Sequence, residues 1–407
     1  MRKDRAYGSL LFIIYGNMAL YGFIQTMRGV IYPIIKSHYG VSYSEQGLLV
    51  FLIQAVMVFS CVVSGIFLSR AGFRKTIFLG FGVAALGMIF FRFAGAYWTA
   101  AGFILLIQLG LGFFEIGING IGARTFTKNS ALMMNLLHFF YGVGATFGPW
   151  FGGFAANNPA LGWRNIYLVS LIPAGVMLAL TAFLLPAGAG KSSEKAAVDS
   201  AGDSGGTSPE KKYSLRWAVS NRLVWRVAVC LGLVGVVEYG ATNWSGLYLL
   251  DVFGEDPKTT GAAFVSVYFL LFTVSRLVSG FVTEKIGYLR SVFFGVAAAV
   301  IILVTGFALG RGGIWLLPVS GLFLGVAFPT ILAMTIGFFG KGAQSAVSVI
   351  IVISFSLNGV IQFLIGLINR FIGEAWGYRS GVLFGIVLLV LLTRLRRGKE
   401  QGTVRSE

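Results

Sequence analysis

GIFLSRAGFRKTIFLG, residues 65–80, and GFVTEKIGYLRSVFFG, residues 280–295, are two copies of one pattern. Gly65, Gly72 and Gly80 align with Gly280, Gly287 and Gly295; Arg70 aligns with Lys285, and Lys75 with Arg290. Glycines and basic positions recurring together in this way are not a chance match. In each copy the basic residues separate two apolar runs, so each reads as a short connection between long apolar segments. Counting such runs outward from the two copies decides what the chain is.

Of 407 residues, 56% are hydrophobic and 12% charged, and the mean hydropathy is +0.81. Soluble domains carry about 25% charged residues. Apolar runs of about 18 or more read as membrane-spanning helices, and twelve can be drawn: 8–35, 43–69, 75–96, 98–123, 129–155, 164–186, 221–250, 258–283, 289–309, 313–337, 342–370 and 377–394. A membrane barrel would instead alternate apolar and polar residues in segments of about 10, and none are found. The expected class is therefore an all-α membrane protein in contact with the lipid bilayer. The net charge of +17 does not indicate a nucleic-acid partner, because the basic residues sit at the ends of spans, the pattern of membrane orientation. Cys61 and Cys230 fall inside spans and read as small hydrophobes. The run after MRKDR, from Gly8 to about Ile35, exceeds a signal-peptide core of about 7–15 residues and reads as the first span.

Lys and Arg divide the connections into two sets. One holds Arg2, Lys3, Arg5, Arg70, Arg74, Lys75, Arg124, Lys128, Lys191, Lys195, Lys211, Lys212, Arg216, Lys285, Arg290, Lys341, Arg394, Arg396, Arg397 and Lys399; the other holds little beyond Lys36, Arg164, Lys258, Arg311, Arg370 and Arg379. The basic side is expected to be cytoplasmic, which places both termini inside the cell. Residues 187–216, small, polar and charged, read as a flexible cytoplasmic linker. They divide the chain into a six-span half over 1–186 and a second over 217–394, with a cytoplasmic tail over 395–407. GAGKS within the linker hints at a phosphate loop, but the motif needs a glycine where Leu185 stands and a preceding strand.

Several polar residues fall at membrane depth. At about 1.5 Å per helical residue, Glu115 lies about 14 Å above Arg124, His138 about 15 Å above Lys128, and Glu238 about 18 Å above Arg226. An ionisable group near mid-membrane costs at least about 2–3 kcal/mol unless it faces a cavity or a partner. Glu115 is thus read as a substrate or proton site, against the alternative of a carboxyl that tethers helices. Asn119 follows one turn on, on the same face. His138, with Tyr141 three residues on, reads either as a ligand group or as an interhelical hydrogen-bonder. Glu238 and Asn243 stand about 140° apart on a regular helix and share a face only if the helix unwinds near Gly240. Trp244 is a candidate stacking platform. Gln25 and Arg28 lie on the first span, Arg28 either binding substrate or reaching the headgroups. Arg276 is expected to pair with an acid or a carbonyl during gating. Asn358 and Gln362, one turn apart, form a further polar stripe, and Pro329 is expected to bend its helix.

The paired loops resemble the signature of the major facilitator superfamily, in which a glycine is followed by an acidic-basic pair, a second glycine and basic residues. The second copy keeps Glu284; the first has Ser69 in the acidic position. FFEIGIN (113–119), NLLHFFYGVGATFGP (135–149), Trp244-Ser245, Arg276 and FPTI (328–331) further resemble the fucose permease and glucose/mannose permease branch. The resemblance implies two pseudo-symmetric six-helix halves, each of inverted three-helix repeats, with a substrate site near the midplane. It places Glu115 where that branch has a proton-handling glutamate, and His138 and Tyr141 at sugar-contacting positions. It departs at the first span, where an aspartate is replaced by Arg28-Gly29.

The expected function is secondary active transport of a small polar solute, a sugar above all, by symport with H+ or Na+. Glu115 would couple the ion. Gln25, Arg28, Asn119, His138, Tyr141, Glu238, Asn243, Trp244, Asn358 and Gln362 would bind substrate. Arg70, Arg74, Lys75, Arg276, Glu284, Lys285 and Arg290 would gate. No cofactor or metal is expected, the chain is read as a monomer, and its place is the cell inner membrane. The alternatives are an exporter of drugs or lipids, and a carrier of small organic anions using Arg28 and His138. A membrane enzyme is disfavoured, because there are only two histidines and no metal-spaced or nucleophile cluster.

Overall fold

The two aligned glycines are where helices break. In the computed structural model Gly72 has φ 81° and ψ 167°, and Gly287 has φ 86° and ψ 152°. Both values lie in a region that side-chain-bearing residues avoid. Each connection therefore shrinks to a single non-helical residue: Tyr43–Phe91 runs on either side of Gly72, and Ala262–Ile286 is followed directly by Gly287 and Tyr288–Ala308. The hydroxyls match as well. Thr76 donates to the Gly72 carbonyl at 2.9 Å, and Ser291 to the Gly287 carbonyl at 2.9 Å.

The structure describes residues 2–126, 130–185 and 214–403. Lys128, most of the expected linker and residues 404–407 lie outside the described residues. The helices are α1 (Arg2–Thr26), α2 (Arg28–Tyr39), α3 (Tyr43–Phe91), α4 (Tyr97–Thr125), α5 (Ser130–Asn157), α6 (Ile166–Leu184), α7 (Leu215–Ser220), α8 (Arg222–Asn243), α9 (Ser245–Phe253), α10 (Ala262–Ile286), α11 (Tyr288–Ala308), α12 (Ala327–Phe339), α13 (Ala343–Phe371) and α14 (Trp376–Thr403). Ten runs among the described residues are long and apolar enough to cross a membrane. One of them, Tyr43–Phe91, has 49 residues. That is about 74 Å of helix and serves as two spans divided at Gly72. With α5, of 28 residues, these make up the twelve spans.

The described residues fall into two compact units. Of the described residues, one combines 2–41, 55–126, 130–185 and 256–266; the other combines 42–54, 214–255 and 267–403. Each unit includes the opening segment of one helix from the opposite half of the sequence.

Close backbone approach organises each unit. In the first, α1 runs along α5: a side chain at Gly22 would strike the Tyr141 carbonyl, one at Gly144 the Ala19 carbonyl, and one at Gly148 the Phe23 carbonyl. Without a hydrophobic drive inside lipid, such small-residue contacts are what draw helices together. Thr26 adds a hydrogen bond to the Ala145 carbonyl at 3.1 Å. In the second unit α8 runs along α13, with Gly232 against Ser354 and Leu357 and Gly235 against the Asn358 side chain. The 42–54 segment sits on α13 through Gly47 and Gly366, and the Tyr43 hydroxyl donates to the Asp251 carboxylate.

Candidate functional site

The first unit holds Glu115 on α4. The α1–α5 packing brings Tyr21 of α1 to it, and the Tyr21 hydroxyl donates to Glu115 Oε2 at 2.7 Å. The Tyr21 ring in turn lies 5.6 Å from that of Tyr141 on α5, tilted by 43°. Cys61 of α3 lies within electrostatic reach of Glu115. Asn119, one turn along α4, has a side-chain oxygen without a hydrogen-bond partner among the described residues. His138 is half-buried on α5, in the turn preceding Tyr141.

Farther along the first span, Gln25 and Arg28 are both buried. Arg28 is only 7% exposed and stands within electrostatic reach of Tyr32 and Tyr167. These two phenols come from α2 and α6. Tyr21, Gln25, Arg28 and Tyr32 are spaced four, three and four residues apart, one continuous face across the junction of α1 and α2.

The second unit holds a polar stripe on α13. Ser354, Asn358, Gln362 and Asn369 are all buried. Trp244, 1% exposed, donates its indole N–H to Gln362 Oε1 at 2.5 Å. Hydrogen-bonding capacity is left over in this unit: Asn243 Oδ1, Asn358 Oδ1, Gln362 Nε2 and Thr242 Oγ1 are buried without partners among the described residues. The unwinding near Gly240 that a shared face for Glu238 and Asn243 would require does not occur. α8 stays helical through Asn243, and the break falls at Trp244, with φ −125° and ψ −20°. A side chain at Gly240 would meet the Tyr378 ring.

Glu238 and Arg276 come together. Arg276 lies within electrostatic reach of Glu238 and of Tyr268, and its guanidinium sits 4.5 Å from the Phe272 ring centroid. The acid within its reach is thus the mid-membrane Glu238 on α8. At the loops, Arg74 donates to the carbonyls of Leu185 at 3.1 Å and Ala182 at 3.0 Å, the orphan acceptors at the end of α6. Arg70, Lys75, Glu284, Lys285 and Arg290 are exposed. Arg290 and Leu289 line an open cavity of about 780 Å³ with Gly287, Met334, Phe338 and Leu395.

The sequence reading passed over Tyr21, Ser354 and Asn369. The four-three-four spacing on the first span and the four-residue spacing of Ser354, Asn358 and Gln362 would have signalled the first two.

A family model described as Major Facilitator Superfamily matches residues 14–363, and the chain belongs to that superfamily. It is a multi-pass membrane transporter, and transport rather than enzyme chemistry is what the family carries out. The chain is 23% identical over 406 residues to a "Glucose/galactose transporter" of Brucella abortus, covering 95% of this chain and 92% of that one. It is 27% identical over 352 residues to "Membrane sensor protein UhpC" of Escherichia coli, covering 82% and 76%. Among solved structures, a bacterial homolog to the human lysosomal transporter Spinster matches with TM-score 0.73 at 14% identity, covering 97% of each chain. The transporter FucP in the outward conformation matches with TM-score 0.61 at 17% identity, covering 95% of this chain and 99% of that one. Both likenesses speak to the fold alone.

Proposed function

We propose that the chain imports a hexose or a similar polyhydroxylated solute by cation symport through alternating access, with both termini cytoplasmic. The observation that carries this reading is the Trp244 indole bonded to Gln362, with unpartnered amide atoms on Gln362, on Asn358 one turn before it and on Asn243 next to Trp244 in the chain. A buried amide left unpaired costs about 1–3 kcal/mol, a cost that a ligand rich in hydroxyls removes, and a flat indole suits the apolar face of a sugar ring. In the other unit Glu115 binds the coupling ion, H+ in preference to Na+, with Asn119, His138 and Tyr141 as polar neighbours. Arg28 favours a second reading, a solute bearing an anionic group, because a guanidinium buried among phenols is a ready anion ligand.

Proteoliposome uptake tests both readings. Radiolabelled D-glucose, D-galactose and a hexuronate, the same ring carrying a carboxylate, are presented under an inward proton gradient and then an inward sodium gradient. Accumulation of a neutral hexose is expected, with Trp244→Ala and Asn358→Ala each weakening its binding by about tenfold, or about 1.4 kcal/mol. Glu115→Gln, which mimics the neutral acid, is expected to abolish accumulation while sparing exchange. Transport of the hexuronate alone would shift the assignment to the anionic reading; accumulation by Glu115→Gln at the wild-type level would remove Glu115 from coupling.

A further inference from the structure

We infer that Tyr21 is the positioning residue for proton exchange at Glu115, an inference that rests on the coupling role proposed for that carboxyl group. Tyr21 is 4% exposed, and its hydroxyl donates to Glu115 Oε2 at 2.7 Å. Its place is set by the backbone: the next residue, Gly22, lies against the Tyr141 carbonyl, so the ring has little room to move along α5. A phenol O–H can donate to a carboxylate or to the carbonyl oxygen of the neutral acid, but its bond to the ionised form is roughly twice as strong. Tyr21 therefore grips Glu115 firmly when the proton is absent and loosely when it is present. No proton passes to the phenol: it keeps its own, and the transported proton resides on Glu115.

The second contact gives that change somewhere to go. The Tyr21 ring rests 5.6 Å from the Tyr141 ring, so the state of an acid on α4 reaches an aromatic side chain on α5 through a residue of α1. Tyr141 is one of the groups proposed to meet substrate. The geometry thus supplies a three-helix relay in which proton occupancy alters the freedom of the Tyr21 ring and, through it, the platform offered by Tyr141. A tyrosine serving only as packing would need the ring and not the hydroxyl, and that distinction defines the test.

The test uses the full chain reconstituted in lipid. Infrared difference spectra across a pH range should contain a carboxylic C=O band that Glu115→Gln deletes. Tyr21→Phe, which removes the hydroxyl alone, should move that band to higher frequency, because the carbonyl oxygen loses its donor. In transport, Tyr21→Phe should lower uphill D-galactose accumulation by about tenfold while exchange stays within about twofold of wild type, the signature of a defect in ion release rather than substrate binding. The Tyr21→Phe/Glu115→Gln double variant should exchange galactose as Glu115→Gln does, since both changes act through one group. A band lost in Glu115→Gln but unmoved in Tyr21→Phe overturns the role of Tyr21 and leaves Glu115 standing, whatever the galactose result. A parallel fall in exchange and accumulation, or a further loss in the double variant, also overturns it. Spectra in which Glu115→Gln deletes nothing overturn the coupling role of Glu115, and the inference with it.

Discussion

The two copies of the loop, 65–80 and 280–295, share a backbone device and differ in how it is anchored. Both turn on a glycine with positive φ, and both cap that glycine's carbonyl with a hydroxyl four residues on. Both then place a glycine, Gly80 or Gly295, where a following helix approaches its backbone. In the first copy, however, Arg74 reaches across to the end of α6. The corresponding position in the second is Leu289, which lines an open cavity. The two copies share what the backbone requires, while the anchoring side chain differs between them. The glycine is bound by stereochemistry; the arginine answers to local carbonyls that need an external donor only where a helix ends within its reach.

The largest effect should come from the shared part. Gly72→Ala and Gly287→Ala each force a side chain into a backbone region that costs about 1–3 kcal/mol. Nothing lies within 4 Å of either position, so the cost is conformational and should be alike in both. Thermal unfolding in detergent should show two similar losses; a tolerated alanine at one site alone would end the equivalence.

The next effect should separate the copies. Arg74→Ala removes two hydrogen bonds from a charged donor and leaves the last carbonyls of α6 to solvent, for about 1–2 kcal/mol after allowance for its partial exposure. Leu289→Ala should cost less, because its side chain borders open space. Arg74→Lys should recover only part of the loss, since an ammonium lacks the fork that meets two carbonyls at once. Equal melting temperatures for Arg74→Ala and Leu289→Ala would erase the distinction.

The smallest effect concerns conformational balance. Ser69 satisfies its hydroxyl within its own helix, donating to the Ile66 carbonyl at 2.8 Å, whereas Glu284 is an exposed acid among Lys285 and Arg290. Glu284→Gln should therefore shift the populations of access states by about twofold, or about 0.4 kcal/mol, and Ser69→Ala should leave them unchanged. Paired spin labels at the basic ends of the spans would read this as a distance distribution. A larger shift for Ser69→Ala would reverse the asymmetry.

The helices were legible because the bilayer imposes one rule on every span, and glycines in a repeat betray themselves by recurrence. A mid-membrane glutamate is legible for the same reason: its cost demands an account. Partners were not. Tyr21 is one of 15 tyrosines, and an amphipathic ring in an apolar helix carries no signal until a neighbour is known. The break at Trp244 was not legible either: glycine weakens isolated helices, which drew attention to Gly240, yet the helix runs on to Asn243. The proximity of Arg28 to Tyr167 was hidden too, because that phenol comes from a distant part of the chain. A second repeat lay in view as GWR (162–164) and GYR (377–379), in the register that joins the loops. Arg164 donates to His38 Nε2 at 3.0 Å and sits 4.5 Å over the Trp163 ring. Arg379 donates to the Tyr248 hydroxyl at 3.3 Å and lies about 6 Å from the rings of Tyr248, Phe307 and Trp376.

The sharing of segments 42–54 and 256–266 between units bears on how the chain is made. Synthesis runs from the N-terminus, so when the sixth span has left the ribosome the first unit still lacks residues 256–266. Gly153 then has neither the Lys258 carbonyl nor Ala262 beside it. The opening of α3, meanwhile, waits for α13, which supplies Gly366 and Gly359 to Gly47 and Gln54. Neither half can finish alone. An early polypeptide of six spans holds exposed glycine surfaces in the bilayer until the second half arrives, an interval in which membrane chaperones and proteases would meet it.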